Sequence, residues 1–334
     1  MLGAGGILGS AWTAGTLAGL QERIGRPLGE LDLVCGTSAG AVLGAALRCG
    51  MSVDELLAHQ RGSAPADIAP DLDVRNLDVR DLPDMRTIER ETGDGRPPVP
   101  RPWPGSPGLV ATALTHPRSV NPVIAASGLL PAGRGRMGAL IRLVAALQDR
   151  LGVTRDGWVP GAPLWVVAVD YDSGRRVVFG RPGAPASSVG EAVLASCSIP
   201  GWFTPQVIDG RRYVDGGVAS STSLGLLARP GAPELDEVYV LAPMASHAYD
   251  RPRGPVAGAE RAVRCLMTRW LDAEVRAVRA RGVRVTVLTP GPADLVAMGG
   301  NLMNPRRRER VLDTALRTSG VALDAALDEG LRAA

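Results

Sequence analysis

Apolar and small residues recur at helical spacing from Ser10 to Glu22, condense into a short buried run at Leu31–Val34, and resume a helical rhythm in "AVLGAALRCG". That succession predicts helix, strand, helix, with an Ala- and Gly-rich second helix able to pack closely on a sheet. Residues 62–135 break the rhythm. Within them "GDGRPPVPRPWPGSPG" (93–108) is too rich in proline for regular structure. "LVATALTH", "NPVIAASGLL" and "MGALIRLVAALQDRL" are short apolar helical segments, read either as a helical cap packed on the core or as a lid whose apolar face meets lipid.

Regularity returns with two β-branched runs in "PLWVVAVDYDSGRRVVFG" (163–180), joined by an Asp-Ser-Gly turn, the pattern of a hairpin. A short helix follows at 190–203, ended by Pro200 and Gly201, then a second hairpin turning at Asp209-Gly210. "EVYVLAP" and "RVTVLTP" read as buried strands flanked by long helices from about Glu260 to Arg281 and Arg306 to Leu327. Strands alternating with helices predict an α/β fold with a mainly parallel sheet covered on both faces. No linker divides the 334 residues, so a single domain is expected, with core 1–61 and 136–334 and a variable insert at about 62–135.

Composition narrows the picture. All 37 basic residues are Arg, and the formal net charge is only +3, which argues against a nucleic-acid partner. Cys35, Cys49, Cys197 and Cys265 have no C-x-x-C spacing and sit in apolar surroundings, so they read as core thiols in a reducing compartment. The chain opens on no signal-like segment, and no apolar run reaches membrane-span length. A soluble, cytoplasmic protein is the expectation, with oligomeric state left open.

Two stretches carry chemistry. The first, Gly3-Ala4-Gly5-Gly6-Ile7-Leu8-Gly9, is a glycine loop before a helix. Such loops turn N–H groups toward an anion, either a cofactor phosphate or a reaction oxyanion. No three of its glycines fit G-x-G-x-x-G, and the strand after the first helix ends not in a ribose-binding acid but in "CGTSAG". The second, Gly36-Thr37-Ser38-Ala39-Gly40, fits G-x-S-x-G between a buried strand and a small-residue helix. That context strains the turn and presents a serine hydroxyl at a helix N-terminus; the competing reading is a capping serine.

A nucleophilic serine needs a base. His59 is expected on an exposed helix face, His116 in the irregular insert and His247 in a loop; only His247 follows the order Ser, Asp, His of an α/β-hydrolase triad, and there the nucleophile strand lies deeper in the sheet. Asp215 in "YVDGG" is the other candidate. It follows an apolar strand, and Gly216 and Gly217 let its backbone turn sharply. A partly desolvated carboxylate is basic enough to serve.

Together "LGAGGILG", "GTSAG", "IPGWFTP" and "VDGG" resemble the patatin-like phospholipases over residues 2 to about 225. The resemblance implies a three-layer α/β/α patatin-like fold, Ser38 as nucleophile, Asp215 as base, and an oxyanion hole of N–H groups around Gly5 and Gly6, with Gly9 closing the turn. Gly3, Gly36, Gly40, Gly216 and Gly217 would support these motifs. No metal or organic cofactor is implied. The substrate would be a lipid or other acyl ester, with peripheral membrane contact through the insert. In two respects the chain departs from the family pattern. Leu8 stands where a basic residue is common, which weakens the case for phospholipids, and Met1-Leu2 is too short for the strand that precedes the loop, so the natural chain is expected to start upstream. The rival readings are a catalytically weak lipid- or partner-binding protein on the same fold and, last, a nucleotide-binding domain.

Overall fold

Seven consecutive buried residues, Leu164–Asp170, form the strand around which the sheet is built. The computed structural model of the protein describes residues 1–62, 103–116, 120–248 and 254–332; most of the proline-rich stretch at 93–108 lies outside them. In chain order the strands are β1 (Val34–Thr37), β2 (Leu164–Asp170), β3 (Arg176–Phe179), β4 (Gln206–Ile208), β5 (Arg211–Asp215), β6 (Glu237–Leu241) and β7 (Arg284–Leu288). The helices are α1 (Gly6–Ile24), α2 (Ala39–Arg48), α3 (Val53–Arg61), α4 (Pro107–Thr115), α5 (Pro122–Leu129), α6 (Gly138–Arg150), α7 (Val189–Cys197), α8 (Pro255–Arg279), α9 (Pro292–Met298) and α10 (Arg308–Arg332).

β1 pairs parallel with β2, and β6 parallel with β7, while the hairpin strands β3 and β5 run antiparallel to β2, and β4 antiparallel to β5. The first residues of the chain join the two groups. Leu2 bridges Gly36 and Leu241, both in parallel sense. Its N–H donates to Cys35 O at 2.7 Å and its carbonyl accepts from Thr37 N–H at 3.0 Å, while Leu241 N–H donates to Met1 O at 2.9 Å. Beyond this join the edges of β1 and β6 part around a groove lined by Leu31 and Val34 on one side and Asp236, Val238 and Tyr239 on the other.

Alternation along β2 gives the sheet two apolar faces, as a period of two requires. Leu164, Val166 and Ala168 pack into a core shared with α1, α2, α6 and α7. Trp165 and Val167 face the opposite core, which contains Leu271, Val275 and Val278 of α8. The result is the expected α/β/α layering. Leu109 of α4 and Ile124 of α5 pack against Tyr171 and Val214 at the end of the sheet, leaving Trp103, Leu114 and Leu129 exposed.

Several local expectations shift. α1 begins at Gly6 rather than Ser10, so half of the glycine loop is already the first helical turn. β1 starts where the apolar run Leu31–Val34 ends, because its backbone partners on β2 and Leu2 carry pairing onward to Thr37. Cys265 is exposed on α8, unlike the other three thiols, which are buried. His59 is buried, not exposed, because α3 turns that face toward α1.

Candidate active site

β2 has two edges, and its pairing register brings the two candidate residues together. Val166 and Val167 pair with both β1 and β3, and Ala168 and Val169 with both β3 and β5. β1 and β5 therefore share the edge opposite β3 and meet end to end. Thr37 pairs with Val167 and Asp215 with Ala168. Ser38 thus leaves the sheet where Asp215 ends its strand.

Ser38 turns the chain from β1 into α2 with φ 54° and ψ −122°, a left-handed conformation costing a non-glycine residue on the order of 1–3 kcal/mol. Close packing holds it there. A Cβ on Gly40 would lie 2.1 Å from Leu2 O, so only glycine lets the helix start against the chain's first strand residue; Gly36 stands on β1 just before the turn. Ser38 N–H donates to Ser196 Oγ at 2.8 Å, and Ser196 Oγ–H donates in turn to Val167 O at 2.6 Å. Ser196 thereby ties the strained turn to β2. Nothing in "LASCSIP" marks this serine out from its neighbours.

Asp215 is buried. Its carboxylate accepts from Gly217 N–H at 2.7 Å, and its own N–H donates to Ser198 O at 3.0 Å. Burial raises its pKa from 3.8 to about 6, opposed by hydrogen bonding from the Ser38 hydroxyl and from Gly217 N–H. Desolvation therefore leaves this carboxylate more basic than a solvated one. A Cβ on Gly216 would sit 2.4 Å from Val167 O, so this glycine is what lets the Asp215 turn close onto β2.

The glycine loop runs past the same point. Gly3 N–H donates to Leu241 O, Ala4 N–H to Ser221 O, Leu8 N–H to Leu302 O and Gly9 N–H to Gly5 O, which closes the first turn of α1. Among the described residues the N–H groups of Gly5 and Gly6 have no backbone acceptor. Gly5 caps α1 without a side-chain hydrogen bond, and Gly6 opens it at φ 58°. Two unengaged donors at a helix N-terminus suit an anion. Leu8 is fully buried, so its position belongs to the core.

From Ser38 an apolar pocket runs between α1 and α2, walled by α3 and α6. Ala39, Val42, Leu43 and Ala46 of α2 line one wall and Leu140 and Leu143 of α6 another. Cys197 also lines it, with a thiol pKa pushed well up by burial and then by the Asp215 charge, so it stays protonated. His59 lies on the α3 wall. His247 pairs with Asp272 on the surface at 2.9 Å, and His116 lies beside Thr115 in an exposed position. Neither belongs to the pocket.

The family model described as patatin-like phospholipase matches residues 1–228. Uncharacterized NTE family proteins of Mycobacterium tuberculosis and Mycobacterium bovis are 30% identical over 169 residues, spanning 51% of this chain and only 40% of each relative. The crystal structure of VipD from Legionella pneumophila overlays with a TM-score of 0.43 and 17% identity, over 97% of this chain and 66% of that one; at that score the likeness carries no functional weight.

Proposed function

Because the chain belongs to the patatin-like phospholipase family, we propose that it is a serine acyl hydrolase of lipid or other carboxylic esters, working through Ser38 and Asp215. The observation that carries this reading is the buried Asp215 carboxylate, its pKa raised to about 6, at the end of a strand that abuts the strained turn of Ser38.

In the proposed reaction Ser38 Oγ attacks the ester carbonyl carbon while Asp215 takes its proton. The oxyanion of the tetrahedral intermediate accepts from Gly5 and Gly6 N–H, each such donor contributing about 3 kcal/mol to the transition state. Collapse breaks the bond to the alkoxy oxygen, which leaves with the proton from Asp215. Water then attacks the acyl-Ser38 ester while Asp215 takes its proton; collapse breaks the bond from the acyl carbon to Ser38 Oγ, which recovers the proton from Asp215 as the acid is released. Burial suits both steps. It makes the carboxylate a better base and keeps the carbonyl beside an apolar wall where an acyl chain can lie. The exposed apolar residues Trp103, Leu114 and Leu129 support peripheral contact with a lipid surface in the same reading.

Hydrolysis of para-nitrophenyl esters tests it. Wild type turns them over, while folded Ser38→Ala and Asp215→Asn variants do not; turnover retained in either removes that residue from the mechanism.

A further inference from the structure

A buried proline ring packs against the glycine loop. Pro243 follows β6 at the second residue beyond Leu241. A Cβ built on Gly5 would lie 2.8 Å from Pro243 Cγ, one on Gly3 3.1 Å from its Cδ and one on Gly9 3.2 Å from its Cβ. Three glycines of the loop thus approach one ring, and the missing side chains are what let them come so close. The position of the ring therefore sets the position of Gly5 and of the first turn of α1.

Proline has no N–H, so a hydrogen bond can hold its backbone only through the carbonyl. Pro243 O accepts from Arg264 Nη1 of α8 at 2.6 Å, and the same nitrogen donates to Ala245 O at 3.2 Å. Arg264 Nε and Nη2 both donate to Glu260 Oε1, one helical turn back, at 3.0 and 2.6 Å. Arg264 is only 3% exposed, and Glu260 balances its buried charge. The fixed fork of a guanidinium is what lets one side chain serve a carboxylate and two carbonyls together. Charge-assisted bonds of this kind are about twice as strong as neutral ones. The Pro243 turn is thereby clamped to a 25-residue helix, and neither Pro243 nor Arg264 lines the apolar pocket.

We propose that Arg264 is a positioning residue for the oxyanion donors, acting through Pro243. It holds the ring against which the loop presents Gly5 and Gly6 N–H. Such donors act only at about 2.7–3.1 Å from the forming oxyanion, and a misplacement of about 1 Å is enough to cost about a hundredfold in rate. The inference rests on the hydrolase reading above and adds what keeps its oxyanion hole in place.

Two variants test it. Pro243→Ala removes the ring and leaves the Arg264–Glu260 pair; Arg264→Lys keeps a charge for Glu260 but has no fork to reach Pro243 O as well. Each is compared with wild type in kcat and KM for para-nitrophenyl decanoate, and in affinity for a decyl trifluoromethyl ketone and for the corresponding secondary alcohol. Ser38 Oγ adds to the ketone carbonyl carbon, its proton passes to Asp215 and the carbonyl oxygen becomes an oxyanion; the alcohol fills the same pocket and forms none. The expected result in both variants is a fall of at least about tenfold in kcat and in ketone affinity, with KM and alcohol affinity within about twofold of wild type. General loosening of the fold does not separate the two inhibitors in this way. Unchanged kcat and ketone affinity in either folded variant would overturn the inference, as would equal loss of ketone and alcohol affinity, and wild-type turnover would leave the hydrolase reading intact. No turnover by wild type, with Ser38 unlabelled by a fluorophosphonate, would remove both.

Discussion

Thr37 and Asp215 pair with consecutive residues of β2, Val167 and Ala168. Two strands far apart in sequence thus end at one point on one edge, and the catalytic proposal depends on that abutment. It leaves little room: the Asp215 turn closes with a Cβ position on Gly216 only 2.4 Å from Val167 O. Gly216→Ala is therefore expected to push the Asp215 turn off β2, costing about 1–3 kcal/mol of stability as an overpacked site and lowering kcat by more than tenfold. Thermal unfolding and ester turnover on the same preparation check it; unchanged kcat in a folded Gly216→Ala variant contradicts the placement.

Ser196 offers a more selective probe. Its hydroxyl accepts from Ser38 N–H and donates to Val167 O, so Ser196→Ala leaves both backbone groups unpaired inside the protein. The expected destabilisation is about 1–3 kcal/mol, with a fall in kcat larger than any rise in KM, because the change loosens the nucleophile and not the acyl pocket. An unaltered kcat would mean that packing alone holds the Ser38 turn.

Charge on Asp215 sets two pH dependences of opposite sense. As the proposed base it works ionised, so kcat/KM is expected to rise with pH through about 6 and then level off. Stability runs the other way. The folded pKa lies above the unfolded value of 3.8, so between the two the native state holds the extra proton and loses stability as pH rises. That loss is complete above about pH 6 and amounts to about 3 kcal/mol. Asp215→Asn removes the buried charge. It is expected to be inactive yet to show a Tm higher than wild type at about pH 8, with the gap closing below about pH 4. Equal Tm values at both pH values would refute the desolvation account.

Much of this site is legible in the chain because its parts are local. Ser38, Asp215 and the glycine loop are each marked by residues within a few positions, and small residues at such turns have few other uses. The hairpins at β2–β3 and β4–β5 were equally plain, the second turning through Asp209 and Gly210, both at positive φ. What stayed hidden depends on partners remote in sequence. Ser196 matters only because α7 lies under the Ser38 turn. His59 and Gln60 fall on a polar stretch that reads as a solvated face, and only the packing of α3 on α1 buries them beside Ser10. The opening residues are too few to show a strand pattern, yet Leu2 pairs with both Gly36 and Leu241, a role set by its neighbours and not by its own pattern.

The central claim is that Ser38 is a nucleophile activated by Asp215. Labelling with a fluorophosphonate, with the adduct located by mass spectrometry, tests it without assuming a substrate. The account predicts a phosphonylated Ser38 in wild type, no adduct in Ser38→Ala, and a labelling rate in Asp215→Asn reduced at least a hundredfold. Folded wild-type protein that takes up no probe, or an Asp215→Asn variant that labels as fast as wild type, would contradict it.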